Sequence, residues 1–296
     1  MTDKAAGTTR QKEAHRRRTL VVSAIQITAV DGEKSENVEK LFRLIDEAGA
    51  RGSDLCVLPE MWTGIEFSNE TGYREIAEPI PGPITAELGR RARKYGMYLS
   101  GSMYENAAGT YYNTSPLISP DGAVLGIYRK THLFDAPNRA DIPPGFIESS
   151  KVGKGAAVDV FETNLARIGM TICSDLRFPE LYRELALKGA EIMTCSSAFL
   201  SPRFDHWEFF LRARACENQC FIVAAGQYGK EPKSGLAFVG RSMVVDPWGT
   251  IVATASDEEG LVTAHIDLDF IAEVKRRYPL MEQRRPELYP VLQGRA

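Results

Sequence analysis

Short apolar runs that stop abruptly at a polar residue, each followed by a stretch of helical periodicity, recur along this chain and constrain its fold more than any other feature. Residues 20–26 read as a buried strand. Val38, Leu41, Phe42, Ile45 and Ala48 then recur at helical spacing, with Gly52 as a stop. Residues 54–59 form a second buried run, and a basic amphipathic helix follows over residues 84–95, behind a Pro/Gly loop at 79–83. Residues 97–104, 111–118 and 123–128 read as three strands with turns between them.

The second half repeats this grammar. Strands are expected at 167–172, 191–196, 221–225, 241–245, 251–255 and 261–266, and helices at 179–188, 205–218 and 268–277. Pro179 and Gly189 mark the two ends of the first of these helices. Helices alternate with strands and several consecutive strands form hairpins, which implies an α/β fold with a mixed sheet system covered by helices. With no linker after residue 20, residues 19–296 are expected to form one domain. Residues 1–18, ending in the basic run Arg16, Arg17 and Arg18, are expected to be a flexible tail, since Asp3 and Glu13 break the acid-poor pattern of a transit peptide.

Composition narrows the function. Of 296 residues 44% are hydrophobic, enough for a substantial core. Lys plus Arg number 36 against 39 Asp plus Glu, so the chain lacks the basic excess of a nucleic-acid binder. No apolar run approaches the ~20 residues of a membrane span. The five cysteines (Cys56, Cys173, Cys195, Cys216 and Cys220) form no C-x-x-C and are odd in number, which points to a reducing cytoplasm rather than a disulfide scaffold. Cys216 and Cys220 are expected to be buried thiols. The four histidines have no ligand spacing, so no metal is expected. Neither G-x-G-x-x-G nor G-x-x-x-x-G-K-[ST] occurs, and no dinucleotide or nucleotide cofactor is expected.

Three interruptions carry chemistry. Leu55-Cys-Val-Leu-Pro59 ends in Glu60, Val124-Leu-Gly-Ile-Tyr128 ends in Arg129 and Lys130, and Ile168-Gly-Met-Thr-Ile172 ends in Cys173. The carboxyl ends of strands collect ligands in α/β folds, and a strand-to-helix turn exposes a nucleophile. A cation such as Lys130 and a following helix N-terminus would favour the Cys173 thiolate, and Glu60 could shuttle its proton. Each residue also has an ordinary explanation: Glu60 as a solvated strand end, Lys130 as surface charge, Cys173 as a small core residue.

The segments Leu58-Pro-Glu60, Tyr128-Arg-Lys-Thr-His-Leu133 and Ile172-Cys-Ser-Asp-Leu-Arg-Phe-Pro-Glu-Leu181 resemble the nitrilase superfamily of carbon–nitrogen hydrolases. The resemblance continues through His206-Trp-Glu208, Arg212-Ala-Arg214, Glu217-Asn-Gln219, Asp246-Pro-Trp-Gly249 and Arg284-Arg-Pro-Glu-Leu-Tyr289. It implies a four-layer α-β-β-α sandwich, a Glu–Lys–Cys triad at Glu60, Lys130 and Cys173, and a supporting glutamate at Glu148 in Phe146-Ile-Glu-Ser149. Homodimers or higher homo-oligomers are implied too, with the 179–188 and 205–218 helices at the interface.

Within the superfamily the chain looks most like ω-amidases and deaminated-glutathione amidases. The implied activity is hydrolysis of a small linear amide through a Cys173 thioester, with release of ammonia and a carboxylic acid. N-carbamoyl amide hydrolysis, nitrile hydrolysis and a catalytically silent binding module are the alternatives. Two departures bear on substrate: Ser174 stands where those enzymes usually have Tyr, and Leu200-Ser-Pro-Arg-Phe-Asp205 replaces a Thr-Gly-Pro-Ala stretch. For binding, the backbone N–H of Ser174 is expected at the oxyanion and Arg203 at a substrate carboxylate. Trp62, Phe134 and Phe199 are expected as pocket walls or, equally, as core. Asp175 and Arg177 are expected to brace the turn after Cys173.

Overall fold

A computed structural model describes residues 18–67, 71–138 and 147–289. The tail expected over residues 1–18 lies, apart from Arg18, outside the described residues. In chain order the first half runs β1 (Thr19–Gln26), α1 (Lys34–Ala50), β2 (Leu55–Val57), α2 (Gly72–Ile76), α3 (Pro83–Tyr95), β3 (Tyr98–Ser100), β4 (Met103–Ala107), β5 (Thr110–Ile118) and β6 (Val124–Arg129). The second half runs β7 (Val160–Glu162), β8 (Arg167–Ile172), α4 (Pro179–Leu187), β9 (Ile192–Ser197), α5 (Phe204–Asn218), β10 (Phe221–Gly226), β11 (Tyr228–Lys230), β12 (Ala237–Val239), β13 (Met243–Val245), β14 (Ile251–Thr254), β15 (Gly260–Asp267) and α6 (Asp269–Arg277).

The repeated grammar produces two sheets of the same plan. In the first, β1, β2 and β3 are parallel, β15 is antiparallel on one flank, and β5 then β6 are antiparallel on the other. β4 continues β3 along the same edge of β5. In the second, β8, β9 and β10 are parallel, flanked by antiparallel β7 and by antiparallel β13 then β14. β11 and β12 form a separate two-stranded ribbon.

The alternation of side chains along each strand decides the layers. Val22, Ala24, Leu55 and Val57 of the first sheet share one core with Ile168, Met170 and Ile172 of the second. The Ser100 hydroxyl, 3.2 Å from Met170 Sδ, crosses between them. On the outer face of the first sheet, Ile25, Cys56 and Leu99 pack with Leu41, Ile45 and Ala48 of α1 and with Ile84, Leu88 and Ala92 of α3. On the outer face of the second, Thr171 meets the Tyr182 hydroxyl of α4 at 2.7 Å, and Trp207 of α5 donates to the Arg241 carbonyl. The result is the four-layer α-β-β-α sandwich.

Local chemistry sets the element ends. Pro83 opens α3, the Thr85 hydroxyl accepts from the Gly82 N–H at 2.7 Å, and Gly96 closes the helix at φ +66°. The strand expected over residues 97–104 divides in two at Gly101, where a Cβ would lie 2.3 Å from that of Leu58. The strand expected at 241–245 begins only at Met243, because Arg241 turns to φ +51°. β7, β11, β12 and α2, each of three to five residues, are too short to carry a periodic signal. Cys216 is exposed while Cys220 is buried, which corrects the expectation that both are buried: Cys216 lies on α5, whereas Cys220 lies beyond the helix end and packs in the core.

Candidate active site

Glu60 follows β2 through Leu58 and Pro59, Lys130 follows β6, and Glu148 opens a short 3-10 turn, Glu148–Ser150. Cys173 follows β8 and is the first residue of a second 3-10 turn, Cys173–Arg177, with φ +45°. Glu60, Lys130 and Glu148 are each no more than 3% exposed, and Cys173 is 8% exposed. All four line one pocket of about 520 Å³, part of it open to solvent, walled by Met61, Ile65, Phe67, Phe134, Ala198, Phe199 and Leu200, with Arg177 and Arg203 among its lining residues.

The buried charges are densely bonded. Lys130 Nζ donates to Glu60 Oε1 and to Glu148 Oε2, both at 2.8 Å. Asn113 Nδ2 donates to Glu60 Oε1 at 2.8 Å and to Glu148 Oε1 at 3.0 Å. Backbone N–H groups complete the set: Ala198 to Glu60 Oε2 and Phe134 to Glu148 Oε2, each at 2.7 Å. The Gln227 amide donates to the Glu60 carbonyl at 2.9 Å. Such saturation is what allows charges to stand out of water. Burial by itself pushes the Lys130 ammonium down, but the charges of Glu148 and Glu60 outweigh it and hold the group well above the usual lysine range.

Burial pushes the Cys173 thiol up, and the Glu60 charge adds to that; Lys130, Ser197 and Arg177 pull the other way and are outweighed. Lys130 thus favours the thiolate, as expected, but is outweighed by burial, and a 3-10 turn lies between Cys173 and the helix that opens, as expected, at Pro179. That turn is held by Asp175, which is fully buried. Its carboxylate accepts from the N–H groups of Ile172 and His132, at 2.9 and 3.0 Å, and from the Tyr128 hydroxyl at 2.7 Å. The His132 ring lies 2.9 Å from the same carboxylate and stacks on Phe178, ring centroids 3.8 Å apart.

The structure brings Glu60, Lys130, Glu148, Cys173, Phe134, Phe199 and Arg203 to the pocket. Trp62 is not there: Met61 turns at φ +49°, and the indole is buried in the outer core, 6.3 Å from the Phe42 ring. The expectation that it walls the pocket is corrected. Ser174 lines an adjoining depression with Phe134, Asp135 and Arg177 rather than the Cys173 pocket. Arg177, expected only as a brace, lines the pocket itself with its guanidinium 4.4 Å from the Phe199 ring centroid. Asn113 went unnoticed in the sequence; an amide in the middle of the strand run Tyr111-Tyr-Asn-Thr114 was the available signal.

Among the described residues no three His, Cys, Asp or Glu side chains are grouped to hold a metal ion, and no helix is long and apolar enough to cross a membrane. The two-sheet sandwich places a cysteine, a lysine and two glutamates in one pocket. The model of the carbon-nitrogen hydrolase family matches residues 21–276, and the chain belongs to that family. It is 38% identical over 265 residues to Omega-amidase NIT2 of Xenopus tropicalis, covering 87% of this chain and 92% of the relative. It is 38% identical over 277 residues to the deaminated glutathione amidase of Homo sapiens, covering 91% and 83%. The crystal structure of a carbon-nitrogen hydrolase from Helicobacter pylori G27 superposes with a TM-score of 0.82 at 29% identity, over 93% of this chain and 98% of that one. The chain is an amidase, hydrolysing the C–N bond of a small amide.

Proposed function

We propose that this amidase is ω-amidase-like, with residues 19–296 as its catalytic domain, and works through a thioester on Cys173. The observation that carries the reading is the Lys130 ammonium held at 2.8 Å between Glu60 and Glu148 in the pocket that Cys173 lines. A resting thiol requires a base. Glu60 takes the Sγ proton as sulfur bonds to the amide carbon. Lys130 and the Ser174 N–H hold the oxyanion, a role worth about 3–4 kcal/mol for one donor. The C–N bond breaks, and Glu60 returns the proton to the departing nitrogen, which leaves as ammonia. Glu60 then takes a proton from water, whose oxygen attacks the thioester. The S–C bond breaks, the carboxylic acid leaves, and sulfur regains its proton. Glu148 orients Glu60 and Lys130 throughout, and neither metal nor organic cofactor takes part.

Arg203 is read as the partner of a carboxylate at the far end of the substrate, since it lines the pocket and has no side-chain partner among the described residues. Phe134 and Phe199 wall the chain between. The enzyme is read as a cytoplasmic homo-oligomer with α4 and α5 at the interface. N-carbamoyl substrates would use the same groups, but the amidase relatives do not favour them.

The test is ammonia release from 2-oxoglutaramate, deaminated glutathione, short aliphatic amides, N-carbamoyl amino acids and a nitrile, with Cys173→Ala as control. Release from dicarboxylate monoamides, abolished in Cys173→Ala, is the expected result. Substantial turnover by Cys173→Ala would overturn the thioester, and release from carbamoyl compounds alone would overturn the substrate class.

A further inference from the structure

Asn113 is fully buried on β5, and its one amide nitrogen serves both glutamates. Its Oδ1 is buried with no hydrogen-bond partner among the described residues. A buried orphan carbonyl needs an explanation, and the carboxylates supply it. Turned over, the amide would set its oxygen against Glu60 and Glu148, so the nitrogen faces them and the oxygen goes unpaired. Both amide hydrogens are then committed to the site.

The bonding count gives this a consequence. Each carboxylate oxygen has two lone pairs. Glu60 Oε1 accepts from Lys130 and from Asn113 and is filled, whereas among the described residues Oε2 accepts only from Ala198. The place left for a proton on Glu60 is therefore on Oε2. Asn113 stands bonded between Glu60 Oε1 and Glu148 Oε1, as Lys130 stands between Glu60 Oε1 and Glu148 Oε2.

We infer that Asn113 is a positioning residue that keeps Glu60 Oε1 occupied beside Lys130 and directs the proton leaving Cys173 to Glu60 Oε2. The inference rests on the reading of Glu60 as the base. The titratable and charged groups around Glu60 are Lys130 after β6, Glu148 on its 3-10 turn, Cys173 and Arg177 on theirs, and Tyr104 on β4.

Carbamidomethylation of Cys173 by iodoacetamide, followed by mass spectrometry between about pH 5 and 10, tests it without an assigned substrate. In Asn113→Ala the carboxylates lose donors that favour their charged forms, so the acid limb of the labelling profile moves up by about one pH unit or more. Asn113→Asp, nearly isosteric, donates only when protonated, so its labelling recovers toward lower pH instead. The kcat profile on 2-oxoglutaramate is expected to move in the same two directions, with KM changed less than kcat. A residue that merely supports the fold would lower both rates evenly across pH. Profiles superimposable on the wild type after scaling, with Glu60→Gln inert, would overturn the inference alone; base-assisted labelling that survives in Glu60→Gln would overturn the base and the inference together.

Discussion

The hydroxyl of Tyr128 lies 2.7 Å from Asp175 Oδ2, and this bond ties the strand that delivers Lys130 to the turn that carries Cys173. The same carboxylate holds the backbone N–H groups of Ile172 and His132, one residue before Cys173 and two after Lys130. The distance between ammonium and thiol is thus governed by a group that lies outside the pocket.

Asp175→Ala is expected to destabilise the protein by about 3–5 kcal/mol, since it strands several buried donors at once. kcat should fall at least about tenfold, because small displacements of reacting groups are costly. Urea unfolding and turnover of the folded variant check this. A loss below about 1 kcal/mol with unchanged kcat would show that the turn holds without the carboxylate.

Lys130→Met leaves two buried carboxylates without their cation and should destabilise by about 3–5 kcal/mol. The wild type carries a further signature. The folded-state ammonium is held above the ordinary lysine range, so its contribution is present in full below about pH 10 and is lost as pH rises through the higher folded-state value. Unfolding free energies measured from pH 8 to about 11 should decline at the alkaline end in the wild type, and less in Lys130→Met. Parallel curves would remove Lys130 as the source.

Arg203→Gln should raise KM for 2-oxoglutaramate about 10–100-fold, the equivalent of about 1.5–3 kcal/mol for a lost charged hydrogen bond, with kcat little altered. A neutral aliphatic amide should be indifferent to the change. Equal effects on both substrates would mean that Arg203 shapes the pocket and does not read a carboxylate.

The strands that could be read in advance are those dominated by apolar residues, such as Thr19–Gln26, Arg167–Ile172 and Phe221–Gly226, because burial on both faces favours such a composition. Glu60, Lys130 and Cys173 were legible because each interrupts such a run at its end. Asn113 was not: beside Tyr112 and Thr114 it looks like the solvent half of an alternating strand, and what buries it comes from Lys130 and from Glu148, 35 residues away. Phe134 was named for its ring, yet its firmest tie to the site is a backbone N–H on Glu148, which no side-chain pattern encodes. Trp62 was misplaced because nearness in sequence to Glu60 says nothing about the turn at Met61 that sends it to the far side of the sheet.

Cys173 holds its backbone at φ +45°. That conformation is easy for glycine and strained for any residue with a Cβ. At this backbone conformation the chain would be more comfortable with a hydrogen in place of the Cys173 side chain. At this position the backbone conformation and the buried side chain therefore pull in opposite directions. A selection for heat resistance alone, blind to turnover, would put no premium on cysteine at the position proposed as the nucleophile.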